Sequence, residues 1–138
     1  MPKATVAAII AKKKLRVVRI LLTRRTVEPF TGMWCLPGGH IDQDEQAAQA
    51  IAREVKEETG VDLTPSFFGY FDEIIPSKNI HAVVLVFVGE WKGDTVLDQR
   101  EVSEIGWFTV TEALSLPLAF CHKTIIETYA QSQAQPRT

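Results

Sequence analysis

Two hydrophobic periods alternate along the chain, one helical and one extended. Residues 45–58 contain no Gly or Pro, are rich in good helix formers, and stop short of Gly60, which suits a left-handed position just past a helix end. Within them Ala48, Ile51, Ala52 and Val55 recur at i, i+3, i+4 and i+7, the spacing of one buried stripe. Gly38 and Gly39 read as the loop leading into this helix. Strand patterns occupy 5–10, 17–22, 66–75, 81–91 and 104–108. The run from Ala82 to Val88 is apolar on both faces and reads as a central strand. Ala11, Lys12, Lys13 and Lys14 read as a solvated hairpin turn, with phosphate binding by the lysines as the competing reading, and Pro76 to Asn79 as a second turn. Residues 98–101 read as a polar loop. Thr109 and Glu112 form a capping box for a brief helix ending near Pro117. Residues 120–131 predict a C-terminal helix with Ile125, Ile126 and Tyr129 on one face and His122 beside them, and 131–138 a frayed tail. Strands interrupted by one central helix and followed by a terminal one make the fold class α+β, in a single domain spanning 1–138.

The central helix carries a second stripe, Glu54, Glu57 and Glu58. At 100° per residue these span an arc of roughly 100°, centred roughly 120° from the apolar face, which places them where core meets solvent. Like charges at i, i+3 and i+4 cost a helix a few tenths of a kcal/mol per pair, so a compensating cation is called for. A divalent metal is one candidate, since hard ions take oxygen ligands. A solvated acidic face, with Arg53 paired to Glu57 at i, i+4 and Lys56 nearby, is the other.

The whole stretch 39–61 reads Gly39, five residues, Glu45, seven residues, then Arg53-Glu54-Val55-Lys56-Glu57-Glu58-Thr59-Gly60-Val61. It resembles the Nudix box at every specified position, and a chance match has odds on the order of 10⁻⁸ or less per starting point. Met33 to Gly39 resembles the segment leading into that box, with Trp34 and Leu36 as packing residues. The resemblance implies an α/β/α sandwich around a mixed sheet and hydrolysis of a nucleoside diphosphate linked to another group, with Mg²⁺ or Mn²⁺. By position in the motif, Glu54, Glu57 and Glu58 are the implied metal ligands, Glu57 or Glu58 also orients or deprotonates the attacking water, and Arg53 orients the carboxylates. Glu45 supports the box loop or a second metal through water, and Gly39 permits close approach to metal or phosphate. A further ligand or base from a distant loop falls to Glu101 or Glu104, with Glu104, three residues before Trp107, preferred. Arg25 lies where many members carry a basic residue, as a substrate contact or a surface ion pair. His81, heading a strand, is a structural residue or faces the same cleft. The chain departs from the family at Gln46, where a hydroxyl cap is usual, leaving Asp42 or Asp44 to cap the helix.

Two features bear on substrate. Pro76 stands fifteen residues beyond Val61, a spacing associated in the family with ADP-ribose hydrolysis. Leu118-Ala119-Phe120-Cys121-His122 resembles a Leu-Ala-Phe-Asp-His segment of ADP-ribose-type members, with Cys121 where they carry Asp. These lead to ADP-ribose or a related nucleoside diphosphate sugar, cut to AMP and a sugar phosphate. A nucleotide-pool sanitising triphosphate pyrophosphohydrolase is the alternative, and a non-catalytic nucleotide-sensing module a second. Phe30, Trp34, Phe71, Trp91 and Trp107 are the aromatics open for stacking on a base.

Charge narrows the partners further. Fifteen basic against seventeen acidic residues in 138 give a net charge of −2 and no basic field for nucleic acid or membrane, so a small-molecule nucleotide is expected. No apolar run approaches the about 20 residues of a membrane helix and no signal-peptide region heads the chain, so the reading is cytoplasmic. Cys35 and Cys121 are expected as reduced structural thiols. Many family members dimerise, making a homodimer a further expectation.

Overall fold

The computed structural model describes residues 1–97 and 101–134. One four-stranded sheet runs β5-β1-β7-β6, built from β1 (Lys3–Ala8), β5 (Gly38–His40), β6 (Asp62–Ile75) and β7 (Ile80–Lys92). It is mixed: β1 pairs parallel with β7 and antiparallel with β5, and β7 pairs antiparallel with β6. The second sheet joins β2 (Ala11–Lys14), β3 (Val17–Arg25) and β4 (Trp34–Cys35), with β8 (Val102–Phe108) also on β3. The sheets meet where Leu21 N–H donates to the Ile10 carbonyl and Ile9 N–H to that of Phe87. Towards Lys3 and Arg25 the segment from Trp34 to His40 runs between them, pairing first with β3 and then with β1.

Strand alternation divides the apolar residues between two cores. Val6, Ala8, Ile10 and Leu21 pack with Ala50, Ile51 and Val55 of α1 (Ala47–Thr59). Ala7, Ile9, Ile20, Leu22, Val84 and Val86 pack with Ala113 of α2 (Val110–Leu114) and Ile125, Ile126 and Tyr129 of α3 (His122–Ala134). Helices on both faces of a mixed β layer give the α/β/α sandwich that the resemblance implied. Ile51 is fully buried, and truncating such a side chain to Ala typically costs 2–5 kcal/mol. The run Ala82 to Val88 is a central strand as expected, flanked by β1 and β6.

Several local expectations are corrected. The lysine stretch is strand β2, and the reversal falls at Leu15 and Arg16, both at positive φ. Gly38 and Gly39 are strand rather than loop, because β1 offers them an edge. Neither aspartate caps α1; the Gln49 side chain accepts from Gln46 N–H at 2.9 Å, while Asp44 sits at φ 64°. Residues 131–134 continue α3, whereas 135–138 and most of the expected polar loop, 98–100, lie outside the described residues. The Thr109–Glu112 capping box is formed, with both hydrogen bonds in place. Among the described residues no helix is long and apolar enough to cross a membrane.

Candidate active site

Helix α1 packs through Ala50, Ile51, Val55 and Thr59, with Ala48 exposed rather than in the expected buried stripe, and its acidic stripe is carried around to the edge strand β5. Arg53 is the hub there. Its guanidinium donates twice to Glu45, Nε to Oε2 at 2.8 Å and Nη2 to Oε1 at 3.0 Å, and Nη1 donates to Glu54 at 3.0 Å and Glu57 at 3.3 Å. Nη2 also reaches the His40 carbonyl at 3.1 Å. These charge-assisted bonds hold Glu45 below the usual carboxylate range and push Arg53 up. Glu45 also accepts from Asp42 N–H at 3.0 Å, tying the box loop to the helix as its motif position suggested.

The three stripe glutamates occupy different environments. Glu57 is 54% exposed. Burial pushes the Glu54 carboxyl up, and Arg53 offsets part of that. Gly39 leaves room for it: a Cβ there would stand 2.7 Å from the Glu54 carboxyl carbon. Glu58 accepts from Gly38 N–H at 3.0 Å, yet burial and the charges of Glu54 and Glu101 push its carboxyl up to about 8. Three mutually repelling oxygen donors beside a glycine-lined approach fit a hard divalent cation. Arg53 bonds Glu54 and Glu57 through one nitrogen and the Gly38 amide holds Glu58, and among the described residues no three such side chains already form a metal cluster.

Glu54 and Glu58, but not Glu57, line a cavity of about 1030 Å³. Glu54, Glu58 and Glu101 line it with Gly38 and Gly39, and Arg25, Pro76, His81 and Phe120, picked from the sequence one by one, line it too. Glu104 does not: it is 54% exposed and pairs with Arg24 at 2.8 Å, whereas Glu101 lines the cavity. Arg25 forms no ion pair among the described residues. Its Nε donates to the Pro29 carbonyl at 2.8 Å and its guanidinium lies 4.8 Å from the Phe120 ring centre, with Phe30 edge-on to that ring at 5.0 Å.

Of the aromatics open for base stacking, Trp34 is buried against Phe108, Trp91 and Trp107 stack on each other, and Phe71 packs on the core. Phe30 packs edge-on to Phe120, which was not among them and is the described aromatic that lines the cavity. His122 is structural there: its Nδ1 accepts from Leu36 N–H at 2.9 Å, and burial pushes it down to about 3, so it is neutral. Burial pushes the Cys35 thiol up to about 11 and Cys121 higher still, and both are free thiols.

Glu73 escaped the sequence reading altogether. It lines the cavity from β6, is 5% exposed, and accepts from Cys121 N–H at 3.0 Å. The sequence carried no clear signal for it, since Glu73 follows Asp72 in a strand that also holds Asp62, Thr64 and Ser66.

The NUDIX domain profile matches residues 1–129. The chain belongs to the Nudix hydrolase family. This Nudix chain is 32% identical over 130 residues to the ADP-ribose pyrophosphatase of Methanocaldococcus jannaschii, covering 93% of itself and 73% of that protein. It is 29% identical over 117 residues to the CTP pyrophosphohydrolase of Escherichia coli K12, covering 84% of itself and 85% of that protein. The Nudix domain of Shewanella oneidensis NrtR, solved with ADP ribose, superposes with a TM-score of 0.86 at 25% identity, over 97% of this chain and 90% of that one. Other curated relatives are longer, and the chain spans only 25–34% of three of them.

Proposed function

We propose that this Nudix protein is a divalent-metal-dependent pyrophosphohydrolase that cleaves ADP-ribose, or a related nucleoside diphosphate sugar, to a nucleoside monophosphate and a sugar phosphate. The observation that carries the reading is the single cavity joining an oxygen-donor end to an aromatic and cationic end. Glu54, Glu57 and Glu58 would hold Mg²⁺ or Mn²⁺, with Glu101 facing them. When bound, such a cation neutralises phosphate charge and makes water a better nucleophile. Arg53 holds Glu54 and Glu57 in orientation. The carboxylate set takes the proton of the attacking water while its oxygen joins one phosphorus, and the bridging P–O bond breaks to release the other phosphate with its sugar. Arg25, Pro76, His81 and Phe120 shape the region that receives the nucleoside or sugar. The match to an ADP-ribose pyrophosphatase along nearly the whole chain supports this choice of substrate.

The likeness to a CTP pyrophosphohydrolase favours a second reading, cleavage of a nucleoside triphosphate to monophosphate and pyrophosphate. Product analysis with Mg²⁺ on ADP-ribose, NADH, diadenosine polyphosphates, nucleoside triphosphates and oxidised purine triphosphates separates the two. AMP and ribose 5-phosphate from ADP-ribose as the preferred products are expected. Preferred pyrophosphate release would replace the first reading with the second, and tight nucleotide binding without turnover would make the protein a sensing module.

A further inference from the structure

The Phe120 end of the cavity holds a carboxylate that hydrolysis does not use. Glu73 projects from β6 on the face it shares with its cross-strand partner Ala82, the face that carries Val84 and Val86 into the core beneath α3. At 5% exposure it is buried, yet it lines the cavity, and Cys121 N–H donates to its Oε2 at 3.0 Å. Cys121 occupies the position where the similar Leu-Ala-Phe-Asp-His segment has its acid, so a carboxylate is restored there from a different strand. Next to it in the chain, Phe120 lines the same cavity with Arg25 over its ring.

Its neighbours say which part of a substrate Glu73 meets. It sits on β6, at the opposite edge of the order β5-β1-β7-β6 from the glycines that border Glu54 and Glu58, and through Cys121 it adjoins Phe120, the aromatic that lines the cavity. An aromatic ring beside an acid suits a base rather than a phosphate, and carboxylate oxygens accept from an edge that donates.

We propose that Glu73 is the specificity-determining residue for the nucleobase, accepting from the exocyclic amine of an adenine-type base whose plane lies against Phe120. This rests on the nucleotide reading above but not on which phosphate product is released. The carboxylate rejects a base with a carbonyl at the same place, because two acceptors would then face each other in a buried site.

The test is Glu73→Gln, assayed on the adenine and hypoxanthine members of one substrate series, ADP-ribose against its inosine counterpart or ATP against ITP, whichever series turns over. Wild type is expected to prefer adenine by about tenfold or more in kcat/KM, and Glu73→Gln, whose amide also donates, to bring the two within about threefold. The glutamine oxygen still serves Cys121 N–H, and a thermal melt reports any loss of fold. Wild type alone supplies a second measurement: an N6,N6-dimethyladenine substrate, stripped of donors, is expected to fall about tenfold. An unchanged ratio in Glu73→Gln, equal losses on both bases, or full activity on the dimethyl substrate overturns the assignment. If neither series turns over, the hydrolase reading fails separately, and calorimetry of AMP and IMP binding with Mg²⁺ decides: tighter AMP binding, lost in Glu73→Gln, upholds the assignment, and equal binding or none overturns it.

Discussion

At the α1 end of the cavity four carboxylates, those of Asp42, Glu45, Glu54 and Glu57, lie within salt-bridge distance of one guanidinium, and a fifth, Glu58, is held by a backbone amide. At the Phe120 end the charges are far apart in sequence and each is held separately: Arg25 by the Pro29 carbonyl and an aromatic face, Glu73 by Cys121. The first arrangement is one helix and its adjoining loop, so its spacing is fixed by local geometry. The second is assembled from β3, β6 and the segment before α3, so nothing but the tertiary fold brings it together. A site that must position charge to within a fraction of an ångström is better built on one rigid helix, whereas a pocket that chooses among ligands can be varied strand by strand.

Substitutions at the two ends should therefore fail differently. The largest effect is expected for Glu58→Gln, a loss of kcat on the order of 100-fold or more with the fold retained. The same variant sharpens the electrostatics. Burial pushes the Glu58 carboxyl up to about 8, so its contribution to the stability of metal-free protein is fully present below the ordinary carboxylate pKa and is lost progressively as pH rises to about 8. Melting in EDTA across that window should show a shallower decline for Glu58→Gln than for wild type; equal slopes would mean that the carboxylate is not held in the buried state described.

Arg53→Ala is expected to lower activity by roughly 10- to 100-fold through misoriented glutamates, and Arg53→Lys to recover little, since an ammonium cannot reproduce the two-pronged bond to Glu45. Full rescue by Lys would show that only the charge matters. Glu101→Gln should cost about tenfold and Glu104→Gln less than twofold, because an exposed pair such as Arg24–Glu104 is worth only about 0–1 kcal/mol. The reverse ranking would return the distant carboxylate role to Glu104. At the other end Phe120→Ala is expected to raise KM by roughly fivefold to tenfold with kcat nearly unchanged, the signature of lost ground-state contact. A fall in kcat instead would tie Phe120 to the reacting phosphates and erase the division between the ends.

What could be read before folding follows the same division. Glu54, Glu57, Glu58 and Arg53 were legible because helical periodicity converts sequence spacing directly into a shared edge, and the stretch 39–61 fills its motif throughout. The central strand through Ala82 to Val88 and the Thr109–Glu112 cap were legible for similarly local reasons. Glu104 was preferred over Glu101 because distance from Trp107 says nothing about which side of β8 faces the cavity, and Arg24 across the sheet claims Glu104. The lysines of β2 were mistaken for a turn because a polar edge strand and a polar loop look alike until a partner strand is known.

The sequence by itself determined the helix, its acidic edge and the family. Each depends on residues within a few turns of one another, where covalent connectivity already sets the distances. Only the tertiary structure decided that Arg25, Pro76, His81 and Phe120 share one cavity with Glu54 and Glu58, that Glu101 lines it while Glu104 pairs with Arg24, and that Glu73 supplies a carboxylate beside Cys121. Those contacts join strands whose register is set by how two cores pack on either side of the sheets, and that register is a property of the whole fold.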